Sequence, residues 1–300
     1  MRVYRHLLGL PNAQRALAIG NFDGLHLGHQ ALLSNLTAQA SQKMLTPAVM
    51  TFEPHPREFF TPHNAPARLS AMREKLEYFK EAGVQEVFVC RFNQAFASLS
   101  AQDFMQKILK QGLNTKVILV GEDFKFGAKR QGDVQALIQA GFDLTPFPEV
   151  IVGPARVSST RVRDALAIGD LNQAQSLLGR PYSISGKVVH GAKRGRQLGY
   201  PTANVHMRHE RPALTGVYAV KLDGLNGVAN LGVRPTIAGV PKLMLEVHVF
   251  DFNGDLYDQH VHVQFYHKIR DEMKFADLDA LKAQIANDVT AAHHYFKNLT

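Results

Sequence analysis

Hydrophobic positions follow two different rhythms along the chain, and the change falls near residue 180. In the first part, short apolar runs that predict strands are separated by segments with apolar residues at helical spacing. The predicted strands are 16–19, 47–52, 87–90 and 116–120, and the predicted helices are 29–41, 72–82, 101–110 and 134–140. This order is typical of a doubly wound α/β fold, in which helices cover both faces of a parallel sheet and ligands bind at the carboxyl ends of its strands.

The second part is rich in β-branched residues that alternate with polar ones, and turn signals such as Asn253-Gly254 separate the runs. Its predicted strands are 183–189, 216–222, 227–231, 243–250 and 259–266. Short strands at this spacing predict a small antiparallel β-barrel, followed by a terminal helix that Asp277 opens. A helical stretch over 160–178 joins the two parts, so we place the domain boundary between residues 180 and 181, with domains 1–180 and 181–300.

Composition narrows the class of protein. A chain of 300 residues with 45% hydrophobic and 20% charged residues is typical of a globular protein of two domains. Apolar runs fall short of the roughly 18 residues that a membrane span needs, and the one cysteine excludes an intrachain disulfide. We therefore expect a cytoplasmic protein with no membrane partner. A monomer or a weak homo-oligomer is a separate expectation, which composition does not decide.

The net charge of +8 points to anionic partners, and the positive charge has a local concentration. Residues 171–209 contain no Asp or Glu. The cations in that stretch are Arg180, Lys187, Lys193, Arg194, Arg196 and Arg208. Such a segment either faces phosphate or forms a solvated loop. Nucleic acid is not expected as a partner, because few aromatic residues are present to stack on bases.

A strand, a glycine turn and a helix start follow one another over residues 18–29. Glycines allow the backbone to approach a ligand closely, and a helix N-terminus presents free N–H groups to an anion. His26 and His29 lie three residues apart at this helix start, so both can donate hydrogen bonds to phosphate oxygens. A zinc site is the alternative, although the spacing supplies no third ligand.

A second candidate anion site lies at residues 158–163, where Ser158 can cap a helix. Arg161 and Arg163 stand in the first turn of that helix, where the helix dipole disfavours cations by roughly 0.3–1 kcal/mol. Cations at this end of a helix are favourable when an anion binds between them. The alternative is a pair of surface arginines without a function.

These two motifs resemble the nucleotidylyltransferase superfamily, and the segments 51–56, 91–93, 120–127 and 132–133 narrow the likeness to the adenylyltransferase half of bacterial bifunctional riboflavin kinase/FAD synthetases. The resemblance implies that His26 and His29 are catalytic and contact the ATP phosphates. It assigns the ATP pocket and the triphosphate-binding segment to Asn21, Asp23, Gly24, Arg156, Ser159, Thr160 and Arg161. It assigns the flavin end to Asp123, Lys125 and Phe126, although members often carry Asn in place of Asp123 and Phe126 could equally be a core residue.

The run from Gly186 to Asn204 is dense in glycine and cations without forming a Walker A loop. It offers exposed N–H groups and positive charge to phosphate. Thr202 and Asn204 are two residues apart, so on a strand their neutral oxygens point to one side. Neutral oxygens together with nucleotide phosphates are ligands that Mg²⁺ prefers. Glu246 stands within an apolar strand and is a candidate base, with a solvated, outward-facing Glu as the alternative.

The same region resembles the riboflavin kinase signature through 201–204, 216–218, 230–236, 246–248 and 251–252. The resemblance implies that Glu246 is the base for the riboflavin 5′-hydroxyl and that Thr202 and Asn204 bind Mg²⁺ with ATP. It places ATP phosphates at Gly191, Lys193, Gly195 and Arg196, and the flavin at Arg270.

Together the resemblances imply a bifunctional enzyme acting on ATP, riboflavin, FMN and FAD. The alternatives are a riboflavin kinase with a degenerate adenylyltransferase domain, and a non-enzymatic basic protein that binds RNA or nucleotides.

Overall fold

The computed structural model describes residues 1–7, 9–144, 146–191, 195, 198–207, 211–234 and 242–299, with the backbone alone at 233, 234 and 242. Two compact units are present. The first contains Met1–Pro66 and Met72–Val157, and the second contains Ala67–Ala71 and the chain from Ser158 onward. The predicted phosphate-binding residues Lys193 and Arg196 lie outside the described residues.

The first unit is built on a sheet of six parallel strands in the order β1-β4-β3-β2-β5-β8. These strands are β1 (Arg2–Tyr4), β2 (Arg15–Ile19), β3 (Thr46–Glu53), β4 (Glu86–Arg91), β5 (Thr115–Leu119) and β8 (Asp143–Leu144). Two short antiparallel pairs accompany the sheet, β6 (Lys125–Phe126) with β7 (Gly132–Asp133) and β9 (Ile151–Val152) with β10 (Ala155–Arg156). Because β3 and β5 flank β2 on opposite sides, the strand order reverses at β2, which is where open α/β sheets bind ligands.

The helices of this unit are α1 (Leu27–Gln42), α2 (Pro56–Phe60), α3 (Met72–Glu81), α4 (Gln94–Ala97), α5 (Ala101–Asp103) and α6 (Val134–Gln139). The segment predicted as one helix over 101–110 is α5 followed by a π-helix, Phe104–Gly112. Two apolar clusters form the core, and Cys90 is buried in one of them. Burial raises the pKa of the Cys90 thiol to about 12.

The second unit contains a closed antiparallel barrel in the order β11-β12-β15-β14-β13-β16. Its strands are β11 (Tyr182–Val189), β12 (Ala203–His206), β13 (Gly216–Leu222), β14 (Leu225–Arg234), β15 (Lys242–Val249) and β16 (His260–Arg270). The helices are α7 (Ser159–Ala167), α8 (Leu171–Leu178) and the terminal α9 (Leu278–Asn298). The sequence predicts this architecture apart from β12, whose four residues carry too short an alternation to stand out.

The compact units divide at Val157/Ser158, so α7 and α8 belong to the unit that contains the barrel. The domain boundary between residues 180 and 181 stays a prediction about where the two activities separate. Among the described residues, no helix combines the length and the apolar character that crossing a membrane requires.

Candidate active sites

The turn between β2 and α1 lies at the carboxyl edge of the parallel sheet and adopts an unusual backbone. Phe22 has φ 50° and Leu25 has φ 40°, both in the left-handed region that bulky residues rarely occupy. Both side chains are buried, each at 1% exposure, so packing holds the backbone in this conformation. Strain of this kind concentrates at functional sites, where it aims groups at a ligand.

His26 and His29 lie together at the start of α1, as the sequence predicts. His26 is the N-cap residue, and its Nδ1 accepts a hydrogen bond of 3.4 Å from the backbone N–H of His29. The two rings stack with centroids 3.8 Å apart. Because Nδ1 of His26 accepts, Nε2 is the nitrogen that carries the proton when this ring is neutral.

The surroundings of His29 are positively charged and contain unpaired polar atoms. Burial lowers the pKa of His29 well below 6.5, and the charges of His26, Lys75 and Arg156 lower it further. Asn21 Oδ1 and His29 Nδ1 are buried atoms without a hydrogen-bond partner among the described residues. Such atoms are rare in native proteins, so their presence beside cations favours a site for a polar, anionic ligand.

Arg156 and Asp123, predicted separately, meet in an ion pair. Arg156 donates to Asp123 over 3.1 Å and to Glu149 over 2.6 Å. Asp23, also predicted, is buried at 3% exposure near the start of α1, next to Gly24 with φ 80°. The first unit therefore brings one residue of each predicted end, Arg156 and Asp123, into contact.

Ser159, Thr160 and Arg161 form the first turn of α7 in the second unit, and Ser158 caps that turn by accepting from the Arg161 N–H over 3.3 Å. Arg163 donates to the Ala67 carbonyl over 2.6 Å, so this cation has a structural partner. Triphosphate binding by Ser159, Thr160 and Arg161 stays a prediction.

The structure brings together an aromatic cluster that sequence reasoning missed. The cluster consists of Phe52, Phe59, Phe60, Phe92 and Phe96, whose neighbouring rings lie 5.2–5.9 Å apart. The cluster lies where β3 and β4 end, and Phe60 is 63% exposed to solvent. The pair Phe59-Phe60 after a Pro-x-x motif is the signal that could have indicated it.

Two residues predicted for the flavin end have other surroundings. Phe126 is buried at 6% exposure and packs against Phe104 and Phe124 in the core. Lys125 is exposed and pairs with Asp133 over 3.1 Å. Their role in flavin binding stays a prediction, and the burial of Phe126 favours the core alternative for that residue.

The barrel places three polar residues side by side on its outer face. Glu246 of β15 lies directly opposite Asn204 of β12 on one side and Asn230 of β14 on the other. The flanking residues Leu245 and Val247 are fully buried and face the interior. Glu246 is half-buried, so it is not a freely solvated side chain. Asn230 belongs to the segment 230–236 that carries the kinase resemblance, and the strand register makes it a site candidate.

Two glycines allow the predicted phosphate loop to lie against the residues proposed for the metal. A Cβ on Gly191 would overlap the Asn204 amide, with Cγ at 2.6 Å, and a Cβ on Gly195 would come within 3.2 Å of Thr202 Oγ1. Neutral amide and hydroxyl oxygens beside a carboxylate suit Mg²⁺ that is also held by nucleotide phosphates. The residues present therefore fit a magnesium–nucleotide site.

His248 supports this arrangement from the same face as Glu246. Its Nδ1 lies 2.8 Å from the Pro201 carbonyl, which can only accept, so Nδ1 carries the proton. The ring is flanked by Tyr200 and Phe250. This bond holds the residue immediately before Thr202.

Arg270, predicted to bind flavin, has its guanidinium engaged inside the second unit. It donates two hydrogen bonds, of 2.9 and 2.8 Å, to Asp288 of α9. Asp288 is 4% exposed and also accepts from Gln284 over 2.9 Å. The pair connects the end of β16 to the terminal helix, and direct flavin contact by Arg270 stays a prediction.

Comparison with known proteins matches both units. The family model for FAD synthetase matches residues 11–161, and the model for riboflavin kinase matches residues 178–296. The chain is 47% identical over 305 residues to the bifunctional riboflavin kinase/FMN adenylyltransferase of Escherichia coli K12, covering 99% of this chain and 97% of that protein. It is 50% identical over 282 residues to the protein of that name from Pseudomonas fluorescens, covering 91% and 90%.

Among solved structures, a crystal structure described as a macrolide-efflux protein from Streptococcus pneumoniae is similar with a TM-score of 0.79. It is 31% identical and covers 95% of this chain and 96% of that one.

Proposed function

This chain belongs to the bifunctional riboflavin kinase/FMN adenylyltransferase family, and from that premise we propose how its described residues divide the work of the two reactions. The enzyme uses ATP twice: it phosphorylates riboflavin to FMN, and it transfers AMP to FMN to give FAD and pyrophosphate. The observation that carries the residue assignment is the strand register that sets Glu246 against Asn204. The degenerate-domain and RNA-binding alternatives are not favoured, since family models match both parts of the chain.

In the kinase reaction, the riboflavin 5′-oxygen attacks the γ-phosphorus of ATP and the bond from that phosphorus to the β-bridging oxygen breaks. Glu246 accepts the proton of the attacking hydroxyl and orients it in line. Thr202 and Asn204 are the residues that would hold Mg²⁺, which when bound would neutralise charge on the phosphates. Gly191 and Gly195 let the loop lie against those two side chains, while Lys193 and Arg196 are proposed to bind ATP phosphates.

In the adenylyltransferase reaction, an oxygen of the FMN phosphate attacks the α-phosphorus of ATP and pyrophosphate leaves. No acid or base is required to form the new bond, so positioning and charge stabilisation carry the catalysis. His26 donates from Nε2, and the unpaired atoms of Asn21 and His29 complete their hydrogen bonds with the nucleotide. Arg156 adds positive charge beside them.

The aromatic cluster at the ends of β3 and β4 is suited to bind the flavin ring system in this reaction. Aromatic side chains stack on a planar ring over its whole face, and this cluster lies at the carboxyl edge of the sheet, where such folds bind ligands. We assign the isoalloxazine ring to this cluster, with Phe60 at its exposed edge. A cytoplasmic location, the absence of a nucleic-acid partner and the monomeric or weakly associated state stay predictions.

The assignment is tested by separating the two activities in the intact chain. Glu246→Gln is expected to lower FMN formation from riboflavin by about 10²–10⁴-fold, the worth of a general base. The same variant should convert supplied FMN to FAD at the wild-type rate. His29→Asn should give the reverse pattern. A matched control is Glu81→Gln, an exposed carboxylate on α3. Loss of both activities in Glu246→Gln would contradict the division of labour.

A further inference from the structure

Lys75 is a buried lysine on α3, whose other buried residues are Glu74 and Phe79. It lies on α3 and is 3% exposed, whereas Arg73 and Lys80 of the same helix are exposed. Burial of an ammonium group is costly unless the group is hydrogen-bonded and its charge is used. Neither family motif that we identified contains this residue, so its placement needs a separate reason.

The Lys75 ammonium connects α3 to the strained turn after β2. Its Nζ donates a hydrogen bond of 2.8 Å to the backbone carbonyl of Asn21. The same oxygen accepts from Thr51 Oγ1 of β3 over 3.3 Å. Asn21 directly precedes Phe22, which has φ 50°. Two donors from two elements therefore hold the peptide at the point where the backbone enters its unfavourable conformation.

Fixing this peptide also fixes the side chain that it carries. Asn21 Oδ1 is one of the two buried polar atoms at this site without a partner among the described residues, and His29 Nδ1 is the other. The Lys75 charge acts on His29 together with burial, His26 and Arg156, and all of these keep the imidazole neutral. A ring held neutral keeps one nitrogen as an acceptor and the other as a donor.

We propose that Lys75 is a positioning residue for adenylyl transfer, which holds the Asn21 peptide so that Asn21 Oδ1 can accept from a donor group of the bound ATP while the His29 ring donates to its phosphates. The proposal rests on the proposed function, since it requires that Asn21 and His29 face the nucleotide. Lys75 acts through the Asn21 carbonyl and through its charge, and it makes no bond with the reacting atoms.

The test compares Lys75→Met, Lys75→Arg and the matched control Lys80→Met in the full chain, with both activities measured on each preparation. Lys75→Met is expected to lower kcat for FAD formation from FMN by about 10²-fold, as displacement of a positioned group does. The KM for ATP should change by less than about threefold, because an interaction used mainly in the transition state affects kcat. Lys75→Arg, which can still donate to the carbonyl, should recover about tenfold, and Lys80→Met should match the wild type.

The kinase activity of the same chain and one spectroscopic signal separate positioning from folding. FMN formation by Lys75→Met should stay within about twofold of the wild type, because the barrel is a separate unit. The His29 ring resonances should titrate at a higher pH in Lys75→Met than in the wild type, since one neighbouring positive charge is gone.

Three results would overturn the proposal. They are an unchanged kcat in Lys75→Met, an unchanged His29 titration, or loss of amide protection across the whole parallel sheet, which would make Lys75 a residue of fold stability. Failure of the proposed function looks different: His29→Asn would then retain FAD synthesis whatever the Lys75 variants do.

Discussion

Replacing Arg270 with methionine would leave the Asp288 carboxylate buried with Gln284 as its remaining described partner. Removing one member of a buried ion pair costs about 3–5 kcal/mol. The Arg270 side chain is 20% exposed and the Asp288 side chain is 5% exposed. Because some water reaches the pair, we use the lower end of this range of destabilisation. We therefore expect Arg270→Met to reduce the opening free energy of the barrel by about 3 kcal/mol, which is about a 10²-fold increase in the exchange of its protected amides.

Hydrogen exchange measured by mass spectrometry suits this test because the chain has no tryptophan to report unfolding by fluorescence. Peptides from Gly216–Leu222 report on the barrel strand that packs against α9, and peptides from Thr46–Glu53 in the other unit serve as the internal control. The double variant Arg270→Met/Asp288→Leu removes both charges and should recover most of the protection. A loss below about 1 kcal/mol in the single variant would refute the reasoning, since that is the worth of an exposed pair.

The double variant also decides the role that the sequence suggests for Arg270. An arginine that contacts flavin is lost in the double variant as well, so the KM for riboflavin would stay raised although protection returns. An arginine that only anchors α9 to β16 predicts a riboflavin KM within about threefold of the wild type once the barrel is restored. We expect the second result, because all three guanidinium nitrogens already donate within the protein: Nε and Nη2 to Asp288, and Nη1 to the Asp271 carbonyl.

Three further predictions concern the two sites. Gly191→Ala should lower kinase activity by about 10²-fold, because the new methyl group displaces the Asn204 amide, while FAD synthesis from FMN is unchanged. His248→Leu should raise the KM for magnesium-ATP in the kinase assay by removing the bond to the Pro201 carbonyl, and an unchanged KM would exclude that role. The first unit should lose free energy of unfolding as the pH falls below 6.5, because His29 then binds a proton in the unfolded chain while it stays neutral in the folded protein. Hydrogen exchange should report a lower free energy of unfolding at pH 5.5 than at pH 7.5. The variant His29→Phe should remove this difference.

The sequence predicts both the parallel sheet and the antiparallel barrel, because buried parallel strands and alternating barrel strands leave different hydrophobic patterns. It does not predict β12, since Ala203–His206 offers one clear inward residue, Val205. Nor does it separate α5 from the π-helix at Phe104–Gly112, because apolar residues at similar spacing suit both.

The metal role of Thr202 and Asn204 stays a prediction, whereas the placement of His26 and His29 at the start of α1 was predictable because their motif is contiguous in the chain. Lys75 was not, since a lysine in a charged helix normally lies on the solvated face. One signal was available: Lys75 stands four residues before buried Phe79, on the same side of α3. Arg270 was assigned to the flavin by the family resemblance, and that role stays a prediction. Its ion pair with Asp288 could not be read from a local pattern, because the two residues lie eighteen positions apart in the chain.

The inert environment of Cys90 has a practical consequence for these experiments. With its pKa near 12, only about one thiol in 10⁵ is ionised at neutral pH, and the side chain is 3% exposed. Alkylating probes require an accessible thiolate, so the native protein should give almost no background labelling. A reporter cysteine introduced at Phe60 or on the loop near Thr202 can therefore be modified selectively in the natural background, and occupancy of each nucleotide site can be followed by protection of that one introduced thiol.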